Sequence, residues 1–295
     1  MNPLPADYVR LPAHDKQQLL WNNILQSKYL AGEMPSSTWL RFMWDAVTGG
    51  LFGKNYLQKT LLHDGDELPV RRRRLIHTFG SVCLVTFEAV PSAPFSGTLS
   101  SGACGLLRVS LTLPARSFTP GFAVKFLIDG RPSQNVVCIP CINGQEEDQN
   151  VFLRAGSNRH SKTVHGLDFK FLATMFGRAA QSVKPQKLRW NYLPLDHFAA
   201  TRSDGTKELN PVVPHELTFL PTPEAQMSRE SNIDFRLRLT DIAPGTVLYH
   251  VLATASPTSK PVLIGHLRTV SEFVASHYGD DTIYFQHDPG PCESR

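Results

Sequence analysis

Residues 106–114 read "LLRVSLTLP", and the alternation within them decides the fold. Leu107, Val109, Leu111 and Leu113 fall on one face of an extended chain, and Arg108, Ser110 and Thr112 on the other. Successive side chains of a strand point to opposite sides, so this stretch is read as a β-strand with a leucine-rich face and a polar face.

The segments on either side repeat that pattern. "VCLVTFEAV" (82–90) is rich in β-branched residues and stops at Pro91,. In "GFAVKFLIDG" (121–130), Phe122, Val124, Phe126 and Ile128 share one face and Lys125 lies on the other, and the closing Asp-Gly pair signals a turn,. "NVVCIPCING" (135–144) is a fourth apolar run, interrupted by Pro140. Strand character returns in "FRLRL" (235–239), "TVLYHVLATA" (246–255) and "KPVLIGHLRT" (260–269), whereas proline-containing residues 200–230 read as an extended connection.

The front of the chain reads differently. "DKQQ" (15–18) has the form of a capping box with Asp15 as cap, followed by Leu19, Leu20, Trp21, Ile24 and Leu25 as an apolar helix face and Gly32 as the stop,. "SSTWLRFMWDAVTGG" (36–50) predicts a second helix carrying Leu40, Met43, Trp44 and Val47 against a larger body, and "GLDFKFLATMFGRAA" (166–180) a third. Helices in front of many strands predict an α+β protein: an antiparallel β-barrel or curved sheet over 68–295, preceded by a helical segment over 1–67,.

Thirty Lys and Arg against 26 Asp and Glu leave a formal charge of +4, too small to call for a nucleic-acid partner,. The five cysteines, at 83, 104, 138, 141 and 292, are odd in number and scattered, which suits free thiols in a reducing compartment better than a disulfide framework,. The Cys138–Cys141 pair lacks the second pair a zinc site needs, and His160 and His165 lack metalloprotease spacing,. No stretch of 18 apolar residues crosses a membrane and no signal-peptide pattern opens the chain, so a soluble cytoplasmic protein is expected,.

Four segments taken in order carry more. They are "RRRRLIHTFGS" (71–81), "GLLRVSL" (105–111), "TPGFAVKFLIDG" (119–130) and "SQNVV" (133–137). Together they resemble the catalase-related superfamily, in which an Arg-x-x-His is followed by a glycine three residues on. An Arg-x-Ser strand, a Gly-Phe-Ala-Val-Lys-Phe strand and a distal asparagine come next. The resemblance implies a catalase-like antiparallel β-barrel with helical flanks that binds haem b. It makes His77 the distal acid/base, Ser110 the hydroxyl that orients it, and Asn135 a donor to the departing oxygen; Arg74 and Arg108 become the haem-propionate partners.

Family members ligate the iron through a tyrosinate in an Arg-x-x-x-Tyr context, and no such pattern occurs here. Tyr249, Tyr278 and Tyr284 remain, with Tyr284 placed in a strand between Ile283 and Phe285. Two functions follow from the resemblance. One is a haem enzyme acting on hydrogen peroxide or a fatty-acid hydroperoxide, as a peroxidase or hydroperoxide isomerase. The other is a haem-free enzyme or binding protein that uses the same cavity for an apolar small molecule or biosynthetic intermediate, with His77 and Arg108 in proton-transfer or carboxylate-binding roles. Both imply a small-molecule partner without nucleic acid or membrane span, and both leave homo-oligomerisation open.

Overall fold

The computed structural model describes residues 4–30, 32–36, 38, 40–41, 44, 78–91, 99, 103–111, 121–141, 189–192, 216–225, 234–254, 258–283 and 285. Its centre is a closed barrel of eight antiparallel strands in which each pairs with the next in sequence and the last returns to the first. The strands are β1 (Phe79–Ala89), β2 (Ala103–Leu111), β3 (Gly121–Ile128), β4 (Arg131–Cys141), β5 (Arg189–Tyr192), β6 (Glu216–Pro221), β7 (Val247–Thr254) and β8 (Val262–Thr269). Closure is made by β1 and β8, aligned from Val85 with Thr269 to Ala89 with Gly265. A closed sheet has no free edge, and eight strands leave an interior just wide enough for side chains to fill.

That interior is filled by the apolar faces. Leu107, Val109 and Leu111 of β2 point inward with Val85, Phe87, Val124, Phe126, Val136, Leu217, Phe219, Val251 and Leu267, all in one core cluster. Phe122 stacks on Tyr249 with ring centroids 4.7 Å apart and meets Phe219 edge-on at 5.1 Å. The alternation of residues 106–111 is therefore a division between the inside and the outside of the barrel. Leu106, one residue out of phase, joins a second cluster on the outside, where Val82, Leu127, Val274, Tyr278, Ile283 and Phe285 meet Tyr8, Leu20 and Ile24 from the front of the chain.

The β3–β4 turn lies where Asp129 and Gly130 predict it, with Gly130 at φ 64°, a left-handed backbone that glycine adopts without strain,. Pro140 lies within β4, opposite Trp190. Other expectations are corrected. Helix α1 runs from Ala13 to Gln26 with Pro12 as its N-cap, so Asp15 sits inside the first turn and is not the cap. The helix closes with Ser27, whose Oγ donates to the Asn23 carbonyl at 2.7 Å, five residues before Gly32. Its buried stripe includes Lys16, Gln17 and Asn23, while Leu25 is exposed. Two of the polar members are bonded to the barrel: Lys16 Nζ donates to the carbonyls of Ile128 (2.7 Å) and Arg131 (2.6 Å), and Gln17 Nε2 to that of Gly105 (3.0 Å). A periodicity of apolar residues alone does not reveal such a face.

"FRLRL" is a short helix, α2 (Phe235–Leu239), instead of a strand. Asp234 caps it by accepting from the Arg236 amide, and Phe235 and Leu239, four apart, both reach the core. Over five residues the strand and helix periods are hard to distinguish, and the cap decides. The 200–230 connection contains strand β6. Ile283 and Phe285 are buried on the outer face without forming a strand; Tyr284 itself lies outside the described residues. Leu40 and Trp44 of the second helical segment are 80% and 64% exposed, and Met43 and Val47 lie outside the described residues. The 166–180 helix and the 67/68 boundary lie outside the described residues.

Candidate functional site

The outer face of β1–β4 carries the polar side chains that alternate with the lumen leucines. Arg108 pairs across the ladder with Val82 and Ala123, and Ser110 with Gly80 and Gly121. Arg108 and Ser110 are thus neighbours on one face, both buried. The guanidinium of Arg108 lies flat over Gly80. A Cβ built there would sit 2.6 Å from its Nε and Cζ, so the glycine is what leaves it room.

The partner of this guanidinium comes from the end of the described chain. After β8 the segment returns to β1 through a two-way bridge, Val82 N to Val274 O at 2.9 Å and Val274 N to Val82 O at 2.7 Å. It then forms the short helix α3 (His277–Asp281), capped by Ser276, whose Oγ accepts from the Gly279 amide. Asp280 points at the barrel from α3. Its Oδ1 accepts from Arg108 Nη2 at 2.7 Å and from the Gly80 amide at 2.8 Å, and its Oδ2 accepts from Tyr29 Oη at 3.2 Å. Arg108 Nη2 also donates to the Thr78 carbonyl at 3.2 Å. With 4% and 5% of their side-chain surfaces exposed, Arg108 and Asp280 form a buried ion pair, to which the Thr78 carbonyl, the Gly80 amide and the Tyr29 hydroxyl add hydrogen bonds,.

The chain just after α1 clasps α3. Tyr29 N donates to the Ala275 carbonyl, His277 N to that of Ser27, and Tyr278 N to Ser27 Oγ. The Tyr29 ring meets the His277 ring edge-on at 4.3 Å. Burial, then the charge and hydrogen bond of Asp280, raise the pKa of the Tyr29 phenol well above its ordinary 10.0, so it stays a phenol and not a phenolate,. A raised folded-state pKa stabilises the protein below the unfolded value, and the contribution fades as pH climbs through the folded one. Stability of the wild type is therefore expected to fall as pH rises past 10.0, with a shallower fall in Tyr29→Phe. Chemical denaturation of both across that range checks it.

A second polar group lies further along the same face. Lys125, 2% exposed, donates from Nζ to Ser133 Oγ at 2.8 Å and approaches the Phe285 ring at 5.8 Å. Asn135 is the ladder partner of Lys125, in the row of Leu106. It is therefore two strands round the barrel from Ser110 and four residues displaced, about 13 Å along the strand direction at strand rise,. Of the residues that the sequence singles out, Arg108 and Ser110 come together and Asn135 stands apart from them. Arg74 and His77 lie outside the described residues, as do His160 and His165. The backbone of Cys138–Cys141 is strand, paired with β5.

No family model, no curated protein and no solved structure matches this chain.

The described side chains can be tested against haem. A propionate at Arg108 would meet the Asp280 carboxylate already bonded there. Tyr29 is held protonated, Tyr249 is stacked inside the lumen, and Tyr278 is packed in the outer cluster. Among the described residues, these groups do not fit a propionate socket or a tyrosinate ligand. Asp280 and Tyr29 are the parts of this network that sequence reading misses, and Gly80 enters that reading only as the glycine three residues after His77. Asp280 and Tyr29 carry no signal, because their roles depend on contacts 172 and 251 residues away.

No helix among the described residues is long and apolar enough to cross a membrane. Cys83 and Cys104 carry free thiols, and burial pushes both pKa values up. An unreactive thiol is what that environment produces.

Proposed function

We propose that this chain is a catalase-like barrel protein that binds no haem through Arg108, and that it acts in the cytoplasm as a haem-free binding protein or enzyme for an apolar small molecule. One observation carries the reading: the guanidinium that would hold a propionate is buried and bonded to the chain's own Asp280 at 2.7 Å. Displacing that carboxylate would leave a second buried charge to be satisfied, at a cost of several kcal/mol. The order of segments around His77, Arg108, Ser110 and "GFAVKF" supports the catalase-like part.

In this reading Arg108 is a positioning residue that holds α3 on the barrel, with Ser110 beside it on the same face, and His77 is the proton-transfer group. The alternative, a haem peroxidase or hydroperoxide isomerase, draws on Arg108 and Ser110 sharing that face. It also requires Asn135 beside them, and Asn135 lies two strands away.

The two readings separate in an absorbance spectrum of protein expressed with a haem precursor. A folded protein without a Soret band, which still binds a fluorescent fatty acid saturably, is expected. A stoichiometric Soret band that shifts in His77→Ala would overturn the proposal and restore the peroxide chemistry.

A further inference from the structure

On the outside of the barrel, at the seam where β8 closes onto β1, one ladder row runs Glu88, His266, His250. The two imidazoles face each other with Nδ1 to Nδ1 at 2.8 Å, their rings at 76°. Register irregularities fall between Val247 and Tyr249 and between Val251 and Leu252, one on each side of His250. Irregularities of this kind re-aim a side chain, and here they bracket the residue that meets His266. His250 is exposed and His266 half-buried, so the pair is reachable from solvent.

We propose that His250 and His266 form a binding site for a divalent transition-metal ion of the copper(II) or nickel(II) type, held by the two Nδ1 atoms. The ligand set carries the choice of ion: two imidazole nitrogens, with solvent oxygens in the remaining positions. The 2.8 Å between the nitrogens is the hydrogen-bond distance of the metal-free pair, and both rings turn for their lone pairs to converge on an ion,. Tetragonal nitrogen and oxygen sites suit Cu(II) and Ni(II), whereas zinc prefers the tetrahedron.

Without metal, one Nδ1–H donates to the other Nδ1. On binding, that proton moves to the Nε2 of its own ring, both Nδ1 lone pairs turn to the ion, and no proton is lost overall. No group of three or more His, Cys, Asp or Glu among the described residues is arranged around a metal, so the remaining positions belong to solvent. Glu88 supplies negative charge in the same row while its oxygens accept from Arg268 at 2.7 and 3.0 Å.

The test is titration of tag-free, full-length protein with nickel(II) and, separately, zinc(II), followed by calorimetry and by thermal unfolding. The wild type is expected to take up one nickel(II) per chain at this site, more tightly than zinc(II), and to unfold at a higher temperature in its presence. His250→Ala and His266→Ala should each lose that site. Changes in the surroundings of a metal ligand alone cost about 10- to 100-fold in affinity, so removing a ligand should cost no less. The copper(II) complex should show two coupled nitrogens in its paramagnetic resonance spectrum, and neither should survive in the double variant. Unchanged nickel(II) affinity in either single variant would overturn the proposal, since the 11 histidines of the chain offer other sites for adventitious metal. So would tighter zinc(II) than nickel(II) binding at the pair.

Discussion

Asp280→Ala is expected to destabilise the protein by about 3–5 kcal/mol, the cost of stranding one member of a buried ion pair. The effect comes less from the attraction that is lost than from what stays behind. Arg108 would keep its charge at 3% exposure, wedged over Gly80 and bonded to the Thr78 carbonyl but without the carboxylate that balances it. The Gly80 amide and the Tyr29 hydroxyl would also lose their acceptor. Against a typical total stability of about 5–15 kcal/mol this is a large fraction, and it should appear as a much lower urea midpoint. Asp280→Asn keeps the shape and one oxygen, and should lose less. A loss below about 1 kcal/mol in Asp280→Ala would mean that α3 is not seated on the barrel.

The second large effect belongs to the lumen. Phe122 is 1% exposed and holds two aromatic contacts, with Tyr249 and Phe219, so Phe122→Ala should cost about 3–5 kcal/mol,. An eight-stranded barrel cannot collapse around the resulting void, because closure fixes its radius. Phe122→Leu, which refills most of the volume, should recover most of the stability. Equilibrium denaturation of the two variants beside the wild type reads this directly. Near-equal stability of wild type and Phe122→Ala would mean that the interior is loosely packed.

The barrel was legible because its strands have a period of two and its two faces have opposite chemistry. Leu107, Val109 and Leu111 of β2 turn inward, Arg108 and Ser110 turn outward, and the alternation places each on its proper side. Closure between β1 and β8 was not legible, since no residue in either strand names its partner across 180 positions. Helix α1 is legible in the sequence, but its docking face is not, because Lys16 and Gln17 are buried through hydrogen bonds to the carbonyls of Ile128, Arg131 and Gly105.

The site shows the same division. An arginine and a serine two apart on a strand share a face by alternation alone, and they do so here. Asn135 joins the site only through the family resemblance, and the ladder puts it in the row of Lys125, apart from Ser110. Asp280 was invisible for a different reason. A carboxylate in "HYGDD" looks like any surface acid until the segment from Val274 to Asp280 folds back against β1. A family resemblance read from local motifs therefore assigns an arginine its habitual partner. Only the fold reveals that a nearer carboxylate already sits against it.

The coupling free energy between Arg108 and Asp280 tests the account most directly, measured in a double-mutant cycle of Arg108→Leu, Asp280→Leu and the pair together. The account predicts that the double variant is more stable than the sum of the single losses implies, by about 2–3 kcal/mol or more, because removing both charges relieves the stranded one. Single losses that add to within about 0.5 kcal/mol would show that the two groups do not hold each other, and would contradict it.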